Sequence, residues 1–202
     1  MALSAQDKIL YVANKLGLST LNQMQGSTGA VYDVDTELSG QIFTSASRHQ
    51  NPSVTNITQN EFEVNEALLV ENIAFYVRTS ATSIQNFQQA YGSNAIIVYD
   101  LIIGNKRVMK DTPVFAAGSP YTFATAGKQV IDDGEAGSIL VYIPRHQTFL
   151  EGAGVLIPPQ VQWYIDYRVF NVVTGASITL DRGAIGCYLF GTRVLLNFNT
   201  SI

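Results

Sequence analysis

The clearest pattern of apolar and polar positions lies between residues 161 and 170. Every second residue there is apolar, and the polar residues between them point the other way. A two-residue period is typical of a strand with one buried face. The only Trp of the chain, Trp163, belongs to the apolar set, so this strand is predicted to cross the centre of a core. Pro158 and Pro159 cannot donate ladder hydrogen bonds and mark where the chain enters the sheet.

A second pattern predicts a helix over residues 4–17. Its apolar positions recur at helical spacing and are Ile9, Val12, Ala13 and Leu16. Ser4 is placed to cap the first turn with Asp7 in the capping-box position, and Gly17 stands at the natural stop. The helix is expected to pack either on its own domain or on a neighbouring subunit.

Residues 18–60 are weakly patterned and rich in neutral polar residues, with short strands predicted at 30–34 and 41–44. A long irregular lead-in of this kind usually marks an arm or a functional loop. We therefore predict two parts: an N-terminal helix with an extended arm over residues 1–60, and a β body over residues 61–202.

About eight strands are predicted after residue 60, with too few helices to alternate with them. These strands are expected among twelve short segments, near residues 62–64, 69–77, 95–103, 106–109, 129–131, 138–143, 148–150, 155–157, 161–170, 177–180, 184–190 and 193–198, and a short helix is predicted near 83–91. Leu69, Ile73 and Phe75 are expected to share a face, with Glu71 as the exception. Gly104-Asn105 and Gly191-Thr192 read as hairpin turns. The pattern favours an all-β sandwich or barrel.

The amino-acid composition limits the classes of function that fit this protein. Hydrophobic residues make up 47% of the 202 residues, which is enough for a full core, but charged residues make up only 14%, well below the usual quarter or so. A surface of low charge suits a protein that binds copies of itself. The 12 Lys and Arg residues are scattered and the net charge is −4, which argues against specific nucleic-acid binding. No secretory signal and no membrane span are evident, so synthesis in a cytoplasm is expected.

Candidate chemistry is sparse, and we predict no catalytic residues, no metal ligands and no cofactor. His49 and His146 are interpreted as loop residues, and the lone Cys187 as a buried, inert thiol. His146 and Glu151 resemble part of a cupin metal set, but too few ligands accompany them. The acids of residues 33–37 and 132–135 do not follow the spacing of a Ca²⁺ loop and are interpreted as turn residues.

The stretches Phe149-Leu150-Glu151 and Ile157-Pro158-Pro159-Gln160-Val161, with the low-charge β body around them, resemble single jelly-roll virion proteins of icosahedral viruses, including bacteriophages. The resemblance covers about residues 61–198. It implies a jelly-roll β-sandwich of eight strands in two four-stranded sheets. It also implies a non-enzymatic capsid or capsid-associated subunit in the virion, in contact with other virion proteins and assembled as a trimer, pentamer or hexamer.

An alternative function is a carbohydrate- or receptor-binding module of a viral spike or fibre. Aromatic rings near loops or on a polar strand face offer flat surfaces on which sugars stack. The candidate residues are Tyr91, Tyr121 and Tyr164. A cupin-type enzyme is a third and weaker alternative.

Overall fold

The computed structural model describes residues 4–18, 24–35, 39–44, 52, 54–79, 95–113, 128–132, 138–142, 154–171, 173–177 and 184–196. In these residues the chain forms one helix, α1 (Ala5–Leu16), and ten strands. The strands are β1 (Gln25–Asp35), β2 (Gln41–Ile42), β3 (Glu66–Thr79), β4 (Ala95–Ile103), β5 (Lys106–Pro113), β6 (Lys128–Asp132), β7 (Ser138–Tyr142), β8 (Val155–Ile157), β9 (Trp163–Asn171) and β10 (Ala184–Leu195). The predictions near residues 83–91 and 148–150 lie outside the described residues.

Two antiparallel sheets share the strands, which confirms the all-β prediction. The large sheet has the order β1-β10-β3-β7-β6, with β8 also paired to β3, and the small sheet has the order β2-β9-β4-β5. The implied sheets of four strands each therefore hold for the small sheet, while the large sheet has six. Strands β1 and β2 lie in the predicted arm and confirm the short strands expected at 30–34 and 41–44, although β1 begins earlier, at Gln25, and β2 ends at Ile42. Both pair with strands of the β body.

The core between the sheets is apolar and centred on β9. Trp163, Ile165, Tyr167 and Val169 are buried along β9, which confirms the two-residue period of the sequence. Trp163 stacks 5.6 Å from Phe62 and lies 4.7 Å from Phe43, ring centre to ring centre. Its indole N–H has no acceptor among the described residues. Phe62 also bridges to Pro159. The two prolines lie between β8 and β9, where the chain enters the small sheet, as predicted.

The helix α1 covers part of the outer face of the large sheet. The Ser4 hydroxyl accepts a hydrogen bond from the Asp7 backbone N–H, and the Ser4 backbone N–H donates to the Asp7 carboxylate, so the predicted capping box is present. Gly17 ends the helix in the left-handed conformation that favours glycine. Val12 packs with Ala67 and Leu69 of β3 and with Val194 and Leu196 in a second apolar cluster. The helix therefore packs on its own sheet, the first of the two alternatives.

A bulge in β3 overturns two sequence predictions. Between the pairs Asn72–Phe190 and Val70–Gly191 one extra residue, Glu71, is inserted. The bulge reverses the faces, so Leu69 points to the α1 side while Ile73 and Phe75 point to the main core, instead of sharing a face. The predicted hairpin at Gly191-Thr192 is also wrong, because β10 runs unbroken through both residues.

The bulge explains why a glycine occurs at position 191, where the sequence predicted a turn. A Cβ atom on Gly191 would lie 1.9 Å from the Leu69 carbonyl oxygen. Glycine is needed there for the close approach of two backbones and not for a chain reversal. Glu71, pushed outward, accepts hydrogen bonds from Thr192 and Lys8, both at 2.7 Å, and ties the bulge to α1.

Candidate functional site

Two outward-facing surfaces and one cleft bring exposed polar and aromatic side chains together among the described residues. The first surface is the outer face of the small sheet. The alternation of β9 that buries Trp163 directs Tyr164, Asp166 and Arg168 outward. Tyr164 pairs across the ladder with Ile102 of β4 and is half-buried. Of the three predicted ligand-binding tyrosines it is the one within the described residues. Tyr91 and Tyr121 lie outside them.

A charged cluster lies beside Tyr164 and is called here the arginine–aspartate network: Asp100, Arg107, Asp111 and Arg168. The Asp100 carboxylate is almost fully buried. Arg107 and Arg168 approach it from two sides, at 3.4 Å and 3.6 Å. Arg168 also binds Asp111 at 2.5 Å, and this hydrogen bond lowers the pKa of Asp111 below its ordinary value. A buried carboxylate is costly unless it is paired, and these contacts supply the pairing.

The network depends on bulges in β5. The β4–β5 register shifts twice, between Tyr99 and Leu101 and between Leu101 and Ile102. Asp111 adopts a positive φ of 47°, and its N–H donates to Asp100 at 2.5 Å instead of to a ladder carbonyl. Bulges of this kind re-aim side chains, and here they turn Asp111 toward Arg168. Residues 111–113 continue as part of β5.

The polar row continues across β9 to β2, where Gln41 Nε2 donates to Asp166 Oδ1 at 2.8 Å. Tyr164, Asp166 and Gln41 thus lie on one sheet face, an aromatic ring beside a carboxylate and an amide. This arrangement can bind a polar ligand by stacking and hydrogen bonding.

The second surface is an aromatic strip on the outer face of the large sheet, formed by Tyr32, Tyr188 and Phe190. The rings of Tyr32 and Tyr188 lie 5.4 Å apart, and those of Tyr188 and Phe190 stack at 5.6 Å. Phe190 is 41% exposed, and the Tyr32 hydroxyl donates to the Pro52 carbonyl. The signal in the sequence was the alternation of β10, whose even-numbered residues Tyr188 and Phe190 point away from the core.

A cleft of about 510 Å³ opens between β1 and residues 56–63. Its floor includes Phe62 and Leu68, and its rim carries Glu61 and Glu63. Arg193 spans it to Glu66, with Nε 2.5 Å from the carboxylate. The cleft was not predicted, because it joins β1 to a segment about 30 residues further on.

The acids predicted to be turn residues, Asp33 and Asp35, are instead buried in β1. Asp33 accepts the Phe43 N–H at 2.6 Å, and Asp35 accepts the Tyr167 hydroxyl and the Gly40 N–H, both at 2.8 Å. Burial raises the pKa of Asp35, but these bonds and those from Ser39 outweigh it, and the net pKa lies below the ordinary value. Both carboxylates are thus held by donors of this chain.

The remaining predicted residues fall into two groups. Cys187 is fully buried and free, as predicted, and burial raises the pKa of its thiol. His49, His146 and Glu151 lie outside the described residues. Within the part of the chain that the structure describes, no group of three His, Cys, Asp or Glu side chains is placed to hold a metal ion.

Comparisons with known protein families, with curated proteins and with solved structures find no match for this chain. The helix in the described part of the chain is too short and too polar to cross a membrane.

Proposed function

We propose that this protein is a non-enzymatic structural subunit of a virion, a capsid or capsid-associated protein that works by association with copies of itself. The observation that carries the proposal is the aromatic strip. Tyr32, Tyr188 and Phe190 form a contiguous set of rings on a sheet face, and Phe190 remains 41% exposed. Aromatic residues are enriched at the centres of protein interfaces and charged residues are depleted there.

The pairing of the strands supports a jelly roll. The ladders are nested about the turn at Gly104-Asn105. The first strand pairs with the last, the second with the next to last, and so on inward to the hairpin, which gives β1–β10, β2–β9, β3–β8 and β4–β5. A long antiparallel hairpin rolled across two sheets produces this nesting, which is the arrangement of jelly rolls. Jelly rolls also serve as lectins and cupins, so the fold alone does not select the function.

The subunits of the proposed shell are related by symmetry, as trimers, pentamers or hexamers, in contact with other virion proteins and made in a host cytoplasm. The described part of residues 1–60 packs on its own β body, through α1, β1 and β2. Exchange of this segment between copies is therefore not needed for the proposal, and surface contacts between finished sandwiches supply the association.

The test is the mass of the protein in solution over a wide range of concentration. Wild-type protein is expected to form oligomers, and Phe190→Ser is expected to shift the population toward monomer because it removes the most exposed ring of the strip. Val173→Ser is the matched control, since Val173 is 74% exposed but lies in a turn away from the strip. A wild-type chain that stays monomeric at high concentration refutes the proposal.

The second candidate is the carbohydrate- or receptor-binding module, favoured by the position of Tyr164 beside Asp166 and Gln41. Screening against a glycan array tests it. Binding lost in Tyr164→Ala and kept in Phe170→Ala, on the same strand face, supports this function. Binding absent from the wild type, or unchanged in both variants and in Tyr91→Ala, removes it.

A further inference from the structure

The edge of β1 is open from Gly26 to Thr28, where it borders the cleft beside residues 56–63, and at Ala30 its carbonyl accepts from Asn56 Nδ2 at 2.8 Å. Both backbone groups of Tyr32 bind Asn56, which donates and accepts from outside the sheet at 3.2 Å and 2.8 Å. The β1–β10 register has no irregularity, and backbone groups in a strand change sides at every residue. The N–H groups of Gly26, Thr28 and Ala30 and the carbonyls of Gly26 and Thr28 therefore point away from β10. Among the described residues these groups have no hydrogen-bond partner.

This edge also lacks the features by which proteins guard a sheet edge against pairing. Charged side chains, prolines and bulges serve that purpose. The outer edge of the small sheet has them, because β5 carries Lys106, Arg107 and Lys110 and two register shifts. Residues 25–30 of β1 have no charge, no proline and no bulge, and Thr28 and Ala30 are exposed.

We propose that the β1 edge pairs with the β1 edge of a second copy of this chain, antiparallel across a two-fold axis, with Thr28 opposite the partner's Thr28. In this register Gly26 lies opposite the partner's Ala30. The Thr28 groups bond to their counterparts, and each Ala30 N–H donates to the partner's Gly26 carbonyl. The Ala30 carbonyl already accepts from Asn56 Nδ2 at 2.8 Å, so the ladder does not depend on the Gly26 N–H. A two-fold interface uses the same surface on both copies and therefore requires a surface that is self-complementary. The inference rests on the proposed self-association and names a two-fold contact between copies, in addition to the contacts around the axes of a trimer, pentamer or hexamer.

A second copy is the occupant that charge and shape favour. A neutral segment of Gly, Ser, Thr and Ala brings no like charges together at the axis, whereas a β5–β5 contact would oppose two basic strands. The aromatic strip adjoins this edge, because Ala30 pairs with Phe190 on β10. The helix α1 lies over Gly26, whose Cβ position would be 2.7 Å from Ile9 Cδ1. The two-fold axis thus brings α1 of each copy toward the aromatic strip of the other copy. Apolar contacts between helix and strip would add to the few hydrogen bonds of the short ladder.

A disulfide test measures the register directly. Opposed residues of a hydrogen-bonded antiparallel pair have Cα atoms about 5.5 Å apart, within the range that a disulfide spans. Thr28→Cys is expected to convert to a covalent dimer under mild oxidation, seen as a doubled mass that reductant reverses. The native Cys187 is fully buried and is therefore not expected to form disulfides of its own between native molecules. Ala30→Cys is the matched control on the same strand face, because it would lie about 13 Å from the partner's Ala30.

A second pair of variants tests the ladder without a cross-link. Thr28→Pro removes an N–H that faces away from β10, so the monomer should keep its unfolding midpoint and lose the dimer. Thr28→Val keeps the N–H and should keep the dimer. If the wild type is oligomeric but Thr28→Cys does not cross-link, or both cysteine variants cross-link equally, the β1 pairing is wrong and the proposed function stands. A monomeric wild type overturns both.

Discussion

Gly191 lies where a single added methyl group tests the central ladder of the large sheet. In the Gly191→Ala variant the Cβ atom would sit 1.9 Å from the Leu69 carbonyl oxygen and 2.9 Å from its carbon. Ordinary contacts of a Cβ atom begin at 3.4 Å, so one backbone would have to retreat by about 1.5 Å. The opposing atoms belong to the main chain, and no change of rotamer can relieve the overlap.

The surrounding structure sets the magnitude. The strand β10 is held on both sides, by β1 and by β3, and its inner face packs on the main core, so a local retreat breaks ladder bonds or core contacts. Overpacking a well-packed site costs about 1–3 kcal/mol and occasionally more. Replacing Gly by Ala restricts the unfolded chain and returns at most about 1 kcal/mol. We therefore expect Gly191→Ala to lower the free energy of unfolding by about 2 kcal/mol.

Urea denaturation followed by tryptophan fluorescence measures this effect, because the only Trp, Trp163, is fully buried. Gly26→Ala is the control in the same sheet. Its Cβ atom would meet the end of the Ile9 side chain at 2.7 Å, and that side chain can move, so a loss of about 1 kcal/mol or less is expected. A Gly191→Ala variant within about 0.5 kcal/mol of wild type would refute the bulge and favour a flexible hairpin turn at this position.

Three further predictions concern single side chains. The pKa of Asp35 is depressed in the folded state, so its carboxylate stabilises the fold above about pH 4 and this contribution is lost as the pH falls through the folded-state value. The stability difference between wild type and Asp35→Asn should accordingly shrink between pH 5 and pH 2, roughly, in urea titrations. The Cys187 thiol should be inert to a thiol reagent in native protein and react once urea unfolds the chain. Ser4→Ala should cost about 1 kcal/mol by loss of the capping box, measured by thermal unfolding, whereas the exposed Gln6→Ala should cost almost nothing.

Local signals in the sequence were enough for the elements whose causes are local. The helix α1 is specified by Ser4, Asp7 and Gly17 together with one apolar stripe, and the structure reproduces each of them. The strand β9 is specified by its own two-residue period, and the β4–β5 hairpin by Gly104-Asn105. Each of these elements is specified by residues within the element itself or directly beside it in the sequence.

The features that the sequence did not reveal depend on distant residues. Gly191 looked like a turn because a bulge glycine and a turn glycine have the same composition, and the difference lies in Leu69 on another strand. Asp33 and Asp35 looked like solvated turn acids, and the donors that allow their burial, such as Phe43 and Tyr167, come from elsewhere in the chain. A periodic pattern records which face is apolar but not which polar group will find a partner.

The same limit applied to the candidate sites. The outward position of Tyr164 could be predicted because it lies on the polar face of a clearly periodic strand. The arginine–aspartate network was missed because its four members come from three strands, β4, β5 and β9, and its geometry depends on a bulge that shifts Asp111 toward Arg168. The aromatic strip joins Tyr32 to Tyr188 across more than 150 residues of sequence, which only the β1–β10 ladder brings together.

Several of the charged side chains among the described residues are paired with one another within the molecule. Lys8 pairs with Glu71, Arg193 with Glu66, and the arginine–aspartate network pairs most of its own charge, so these ions hold one part of the molecule to another. The β1 edge and the aromatic strip are left neutral. Two copies can therefore bring these surfaces together without desolvating an unpaired ion, which is the main electrostatic cost of an interface. A charge introduced at Thr28, as in Thr28→Lys, would restore that cost at the axis while leaving each sandwich intact.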